Sequence, residues 1–147
     1  MTSFQKQIEI RWADLDPNFH VLHSKYYDFG AYARMSFMVE HGLTPAVFLK
    51  LHFGPIIFRE EAVFKREITF GDKVIINFKL KSMSSDYSRW SLVTEIYKNP
   101  ETLAAIITID GAWMDTVARK LVPLPAAWIH LFDTAPKTDD FLITGLM

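Results

Sequence analysis

The sequence predicts an α+β domain in which a curved antiparallel β-sheet wraps around one long central α-helix. Three observations carry that expectation. Residues from about 24 to 41 hold no proline and scatter apolar side chains around most of a helical circumference, as a helix enclosed by its own fold does. From Phe58 to Met114 the pattern is period two and is broken only by short polar turns, which points to successive antiparallel strands. A further strand pattern precedes the helix. No repeat or linker divides the 147 residues, so a single domain over 1–147 is expected.

The elements follow in order. Phe4, Ile8, Ile10 and Trp12 share a parity that only Lys6 breaks, the mark of a half-buried strand. A loop from Ala13 to His23 leads into the long helix, with Ser24 as its N-cap and Gly42, followed by apolar Leu43, as the residue that ends it. Thr44 and Pro45 form an N-cap and N1 pair for a short helix to about Leu51, which His52 to Pro55 breaks. Phe58, Ala62, Phe64, Ile68 and Phe70 then share one parity up to a hairpin turn at Gly71-Asp72.

Val74, Ile76, Phe78 and Leu80 alternate with polar residues on the next strand, and Ser84 to Ser88 turns the chain. Trp90, Leu92 and Ile96 belong to a third strand, Asn99-Pro100-Glu101 turns it again, and Leu103 to Met114 is a fourth. Four strands joined in this way predict an antiparallel meander. The segment from Pro123 reads as a short helix, and the polar tract to Asp140 is expected to be loose. One face of such a sheet stays partly uncovered, so a homodimer or homotetramer is expected.

Composition narrows the function classes. Half the residues are apolar and 14% aromatic, which rules out overall disorder, and a net charge of -1 offers no global attraction for nucleic acid or anionic lipid. With no cysteine there is no disulfide, thiolate nucleophile or cysteine-ligated zinc. No apolar run reaches membrane-spanning length, and MTSFQKQIEI has no signal-peptide character, so a soluble cytoplasmic protein without nucleic-acid or membrane partners is expected. Walker, G-x-G-x-x-G and G-x-S-x-G motifs are absent, which argues against nucleotide enzymes and serine hydrolases.

The chemistry concentrates between Arg11 and Tyr32, RWADLDPNFHVLHSKYYDFGAY, where two aspartates and two histidines precede the helix. Side chains delivered to a helix start lie beside unpaired backbone N–H groups and the positive end of the dipole, which suits an anionic intermediate. Asp16, just ahead of Pro17, is equally the residue type of an Asx-turn. Asp14 reads first as a turn residue or a partner of Arg11. A metal site of Asp16, His20 and His23 is disfavoured, because the histidines sit in a proline-containing loop and no H-E-x-x-H pattern occurs.

The run R-W-A-D-L-D-P-N-F-H-V-L-H-S-K-Y-Y resembles the opening motif of the hotdog-fold acyl-CoA thioesterases of the 4-hydroxybenzoyl-CoA thioesterase class. Its members typically carry D-x-D, a glycine a few residues on, a hydrophobic pair, a polar residue and then x-x-Tyr entering the helix. Here Asp14 and Asp16 fill the first pair, Val21 and Leu22 the hydrophobic positions, His23 the polar one and Tyr26 the tyrosine. The resemblance runs over the whole chain in element order and implies a hotdog fold.

It also implies hydrolysis of an acyl-CoA, or an acyl-carrier-protein thioester, with Asp16 as general base or nucleophile and the His23 backbone N–H as oxyanion donor. CoA enters as part of the substrate, and no separate cofactor is implied. Phe19 stands where the family usually has glycine, so it implies a reshaped loop or a plug in the acyl pocket. Phe19, His20 and Tyr26 are therefore the expected substrate-binding residues, and Lys65, Arg66, Lys79, Lys81 and Arg89 are candidates for the CoA phosphates. The competing readings are a hotdog hydratase or dehydratase and a non-catalytic acyl-thioester-binding protein.

Overall fold

The structure, a computed structural model, describes residues 3–145. A short strand β1 (Gln5–Ile8) and a 3-10 turn (Trp12–Asp14) precede α1 (Lys25–Glu40) and α2 (Pro45–Leu51). Strands β2 (Phe53–Phe64), β3 (Val74–Asn77), β4 (Lys79–Ser84), β5 (Arg89–Lys98) and β6 (Thr102–Asp115) follow, and β7 (Lys120–Leu121), α3 (Ala126–Asp133) and β8 (Lys137–Thr144) complete the chain. The sheet curls around α1 in the expected hotdog arrangement.

The stop of α1 is set locally. Gly42 takes φ +88, its N–H donates to the Val39 carbonyl at 3.0 Å, and the Leu43 N–H reaches back to Met38 O at 2.9 Å. This is a Schellman motif, and buried Leu43 packs in the same core as Met38, as such a motif favours. The start differs from expectation: Ser24 is already in the helical region, not the extended one a capping residue takes, and its side chain caps nothing, while the Lys25 N–H donates to Leu22 O at 2.9 Å. Thr44 does cap α2, accepting from the Val47 N–H at 3.3 Å. That helix ends at His52 in the left-handed region, and β2 begins at once with Phe53, so residues 53–55 are strand and not a breaker.

Sheet order departs from a simple four-strand meander. β3 and β4 pair with β5 in one continuous register from Val74↔Lys98 to Leu80↔Leu92, so they are one strand bent at Phe78, and β5 pairs β6. The preceding strand β2 pairs β6 and leaves β3 to β1. Gly71 and Asp72 therefore close a local turn, with Asp72 N–H to Thr69 O at 3.2 Å, and not a hairpin between neighbours. The reason lies in residues 65–73, which are used elsewhere: the Val21 N–H donates to Ile68 O at 2.8 Å and His20 bridges Thr69, tying this segment to the loop before α1.

The tract expected to be loose is ordered. β8 lies parallel to β4, pairing Ser82 with Leu142 and Ser84 with Thr144, because β5 occupies only one edge of β4. The helix also differs from the fully wrapped picture. Its buried residues Tyr26, Phe29, Gly30, Ala33, Phe37 and Met38 form one stripe at three- and four-residue spacing, while Tyr32 and Val39 remain exposed. The stripe meets an aliphatic core near its start (Ile68, Ile76, Ile96, Ile107) and an aromatic one near its end (Phe78, Trp90, Trp113, Phe132).

Candidate active site

The loop before α1 is built around two aspartates with different tasks. Asp14 is buried at 2% exposure and accepts from the Arg11 backbone N–H at 2.9 Å and from the Arg11 guanidinium at 2.9 Å, with Lys25 4.0 Å away. The Arg11 side chain, its backbone N–H and Lys25 together outweigh burial and hold the Asp14 carboxyl below the usual carboxylate range. Asp14 is thus the Arg11 partner anticipated from sequence, and it also holds Leu22, whose N–H donates to Asp14 O at 2.8 Å.

Asp16 forms the Asx-turn, but with one oxygen only. Its Oδ1 accepts from the Asn18 N–H at 2.9 Å and the His20 N–H at 3.2 Å, while the Asp16 N–H donates to His20 O at 2.8 Å. Among the described residues Oδ2 accepts no hydrogen bond. The turn therefore fixes the carboxylate and leaves one oxygen available for chemistry. The two uses weighed at the sequence level are compatible in one side chain.

Asp16, His20, His23 and Tyr26 come together around one open cavity of about 350 Å³, shared with Val21 and with Phe64, Lys65, Arg66 and Glu67 at the end of β2. His23 and Ser24 lie just before the first turn of α1, and among the described residues neither backbone N–H has a hydrogen-bond partner. An unpaired N–H at a helix start is the donor an oxyanion requires. Tyr26 packs edge-on against Phe64, ring centroids 5.0 Å apart, and burial pushes its phenol pKa up, so it stays protonated. Phe64 and Glu67 carry no motif; they reach the site through the end of β2 and were not legible beforehand.

Phe19 does not line this cavity. It holds φ +63, the left-handed conformation that glycine adopts freely. Its ring is 61% exposed and lies 6.0 Å from Trp12, which in turn meets Phe70 at 6.5 Å. Phe19 therefore belongs to an exposed aromatic cluster with Trp12 and Phe70 and does not plug the cavity beside Asp16.

Of the basic candidates only Lys65 and Arg66 reach the cavity. Lys79 pairs with Glu95 at 2.9 Å on the sheet, and Arg89 lies over the Phe58 ring. Among the described residues no group of three or more His, Asp or Glu side chains is placed to hold a metal ion, and no helix is long and apolar enough to cross a membrane.

The family model of the thioesterase-like superfamily matches residues 10–132. No curated protein matches the sequence. Among solved structures, a hypothetical protein of Staphylococcus aureus in complex with CoA superposes with a TM-score of 0.83 at 18% identity, over 93% of this chain and 88% of that one. A 1,4-dihydroxy-2-naphthoyl-CoA thioesterase from Synechocystis gives 0.81 at 18% identity, over 90% and 97% of the two chains. A DHNA-CoA thioesterase from Staphylococcus aureus gives 0.81 at 19% identity, over 90% of each. At these identities the superpositions show a shared fold.

Proposed function

Because the chain belongs to the thioesterase-like superfamily, we propose that it hydrolyses acyl-CoA thioesters to the free acid and CoA. The observation that carries this reading is the pairing, around one cavity, of a free Asp16 carboxylate oxygen with an unpartnered N–H at the start of α1. Asp16 Oδ2 takes a proton from water attacking the thioester carbonyl, or attacks it directly to form an anhydride that water then opens. In either route negative charge gathers on the carbonyl oxygen, and this reading assigns the unpartnered His23 N–H as its donor. Collapse of that intermediate breaks the carbon–sulfur bond, in the second route as the anhydride forms, and CoA leaves as the thiol with a proton from Asp16 in the first route and from water in the second. No separate cofactor takes part, and a cytoplasmic location belongs to the same proposal.

Lys65 and Arg66 at the cavity rim supply positive charge for the phosphates of CoA. The working unit is at least a dimer. Among the described residues β2 is an edge strand of twelve residues, paired only to β6, and it exposes Ile57, Phe58, Val63 and Phe64. A long apolar edge of this kind calls for a partner. Light scattering on the purified protein tests this, and a monomer at micromolar concentration contradicts it.

The function is tested by thiol release from a panel of acyl-CoAs, measured for the native protein and for Asp16→Asn. Asparagine retains a turn-forming oxygen but not the charge. The expected result is release by the native protein and a fall of about 100-fold or more in the variant at unchanged melting temperature. Equal rates in two folded proteins remove Asp16 from the reaction.

A further inference from the structure

The loop before α1 and the segment after β2 meet as a short antiparallel pair. His20 bridges Thr69, and the Val21 N–H donates to Ile68 O at 2.8 Å. Val21 and Ile68 are buried in the core, so alternation leaves His20 and Glu67 on the other side of the pair, where both line the Asp16 cavity. Glu67 stands two residues from the bridge partner of His20. That diagonal sets Cα atoms roughly 7–8 Å apart and lets long side chains meet.

Neither side chain is committed elsewhere. The His20 backbone serves the Asp16 turn through its N–H and its carbonyl, while among the described residues its ring makes no hydrogen bond. Two cations that act on Glu67 are engaged by backbone oxygens: Lys98 Nζ donates to the Glu67 carbonyl at 2.5 Å and Arg66 Nη1 to the Lys65 carbonyl at 2.8 Å. Among the described residues no ion pair takes the Glu67 carboxylate. Its own backbone N–H, then the charges of Lys98 and His20, hold that carboxyl below the usual carboxylate range. The cavity therefore holds two ionised carboxylates, Asp16 and Glu67, with the His20 imidazole within reach of the second.

We propose that His20 relays the proton to the departing CoA sulfur and that Glu67 is its positioning residue, holding the ring toward the cavity and stabilising the imidazolium. The inference rests on the thioesterase reading. Lys65 and Arg66, assigned there to the CoA phosphates, adjoin Glu67 in one segment. The sulfur lies on the CoA side of the carbonyl, so it is directed toward that segment and toward the imidazole bridged to it. As the carbon–sulfur bond breaks, its electron pair stays on sulfur and the His20 imidazolium gives sulfur a proton. Neutral His20 then takes a proton from Asp16 where water attacked the thioester, or from the water that opens the anhydride. Either return restores the imidazolium and leaves the balance of hydrolysis unchanged. His23 lines the cavity too, but a cation there stands at the positive end of the α1 dipole, which disfavours it.

The test compares leaving groups. A CoA thiolate gains from a proton as it departs, whereas 4-nitrothiophenolate is stable without one. Rates are measured for an acyl-CoA and for the 4-nitrothiophenyl thioester of the same acid. His20→Asn and Glu67→Gln retain the backbone bonds of the turn. Each is expected to lower kcat for the acyl-CoA by about tenfold or more with little change in KM, and the loss on the nitrothiophenyl thioester shrinks to within about twofold. Glu67→Asp, which keeps the charge, recovers most of the acyl-CoA rate. The double variant loses no more than His20→Asn alone, because the two residues act as one unit.

An equal loss on both thioesters, or full activity in His20→Asn, overturns the relay while the thioesterase reading stands. A double variant that multiplies the single losses overturns the role of Glu67. Cleavage of neither thioester by the native protein overturns the thioesterase reading itself and the relay with it.

Discussion

Asp16 and His20 hold each other twice: the Asp16 N–H donates to the His20 carbonyl at 2.8 Å, and the His20 N–H donates to Asp16 Oδ1 at 3.2 Å. The pair closes the loop before α1 and keeps the second carboxylate oxygen clear of it. Asp16→Asn and Asp16→Ala should therefore differ. Both lose about 100-fold or more in thioester cleavage. Only the alanine variant also loses stability, by about 1 kcal/mol, since it lacks the turn acceptor. Thermal melts beside rate measurements check this, and identical melts for the two variants contradict it.

Phe19 holds φ +63 with its ring largely in solvent. Phe19→Gly should stabilise the protein by about 1 kcal/mol, because glycine takes that backbone without the Cβ clash. Hydrolysis of short acyl-CoAs should be unaffected, as the ring lies outside the cavity. Denaturant titration gives the sign directly; a loss of stability would mean that contact with Trp12 outweighs the strain.

Asp14 should set part of the acid limit of stability. Its folded-state pKa is depressed by Arg11, so its contribution is present above the unfolded value of about 3.9 and is lost as pH falls through the lower folded value. Asp14→Asn should cost about 1–3 kcal/mol at neutral pH. The native and variant stability curves should converge in acid, and a gap that persists at pH 2 would assign the loss to packing.

Gly111 on β6 is required by close approach. A Cβ there would overlap the Ile56 carbonyl oxygen of β2 and the Trp90 ring of β5. Gly111→Ala should cost about 3 kcal/mol or more by forcing apart strands that pair on both sides of β6. Equilibrium unfolding measures it, and a near-native midpoint would show that the sheet yields at low cost.

Much of this molecule is written in short-range pattern. Alternation marks β5 and β6, Thr44-Pro45 opens α2, Gly42 and Leu43 close α1, and the Arg11 to Tyr26 motif points to the loop where Asp16, His20, His23 and Tyr26 meet. These features depend on neighbours a few residues away, so local chemistry determines them.

Strand order, the direction of Phe19, the ordering of β8 and the surroundings of Arg34 were decided only in three dimensions. An alternating strand satisfies its period beside any suitable partner, and nothing in β2 alone says that it pairs with β6. The choice falls to the whole set: residues 65–73 are bound to the loop before α1, β4 has a free edge, and α1 covers only part of β2. Pairing across such sequence distances depends on which surfaces the rest of the chain leaves open.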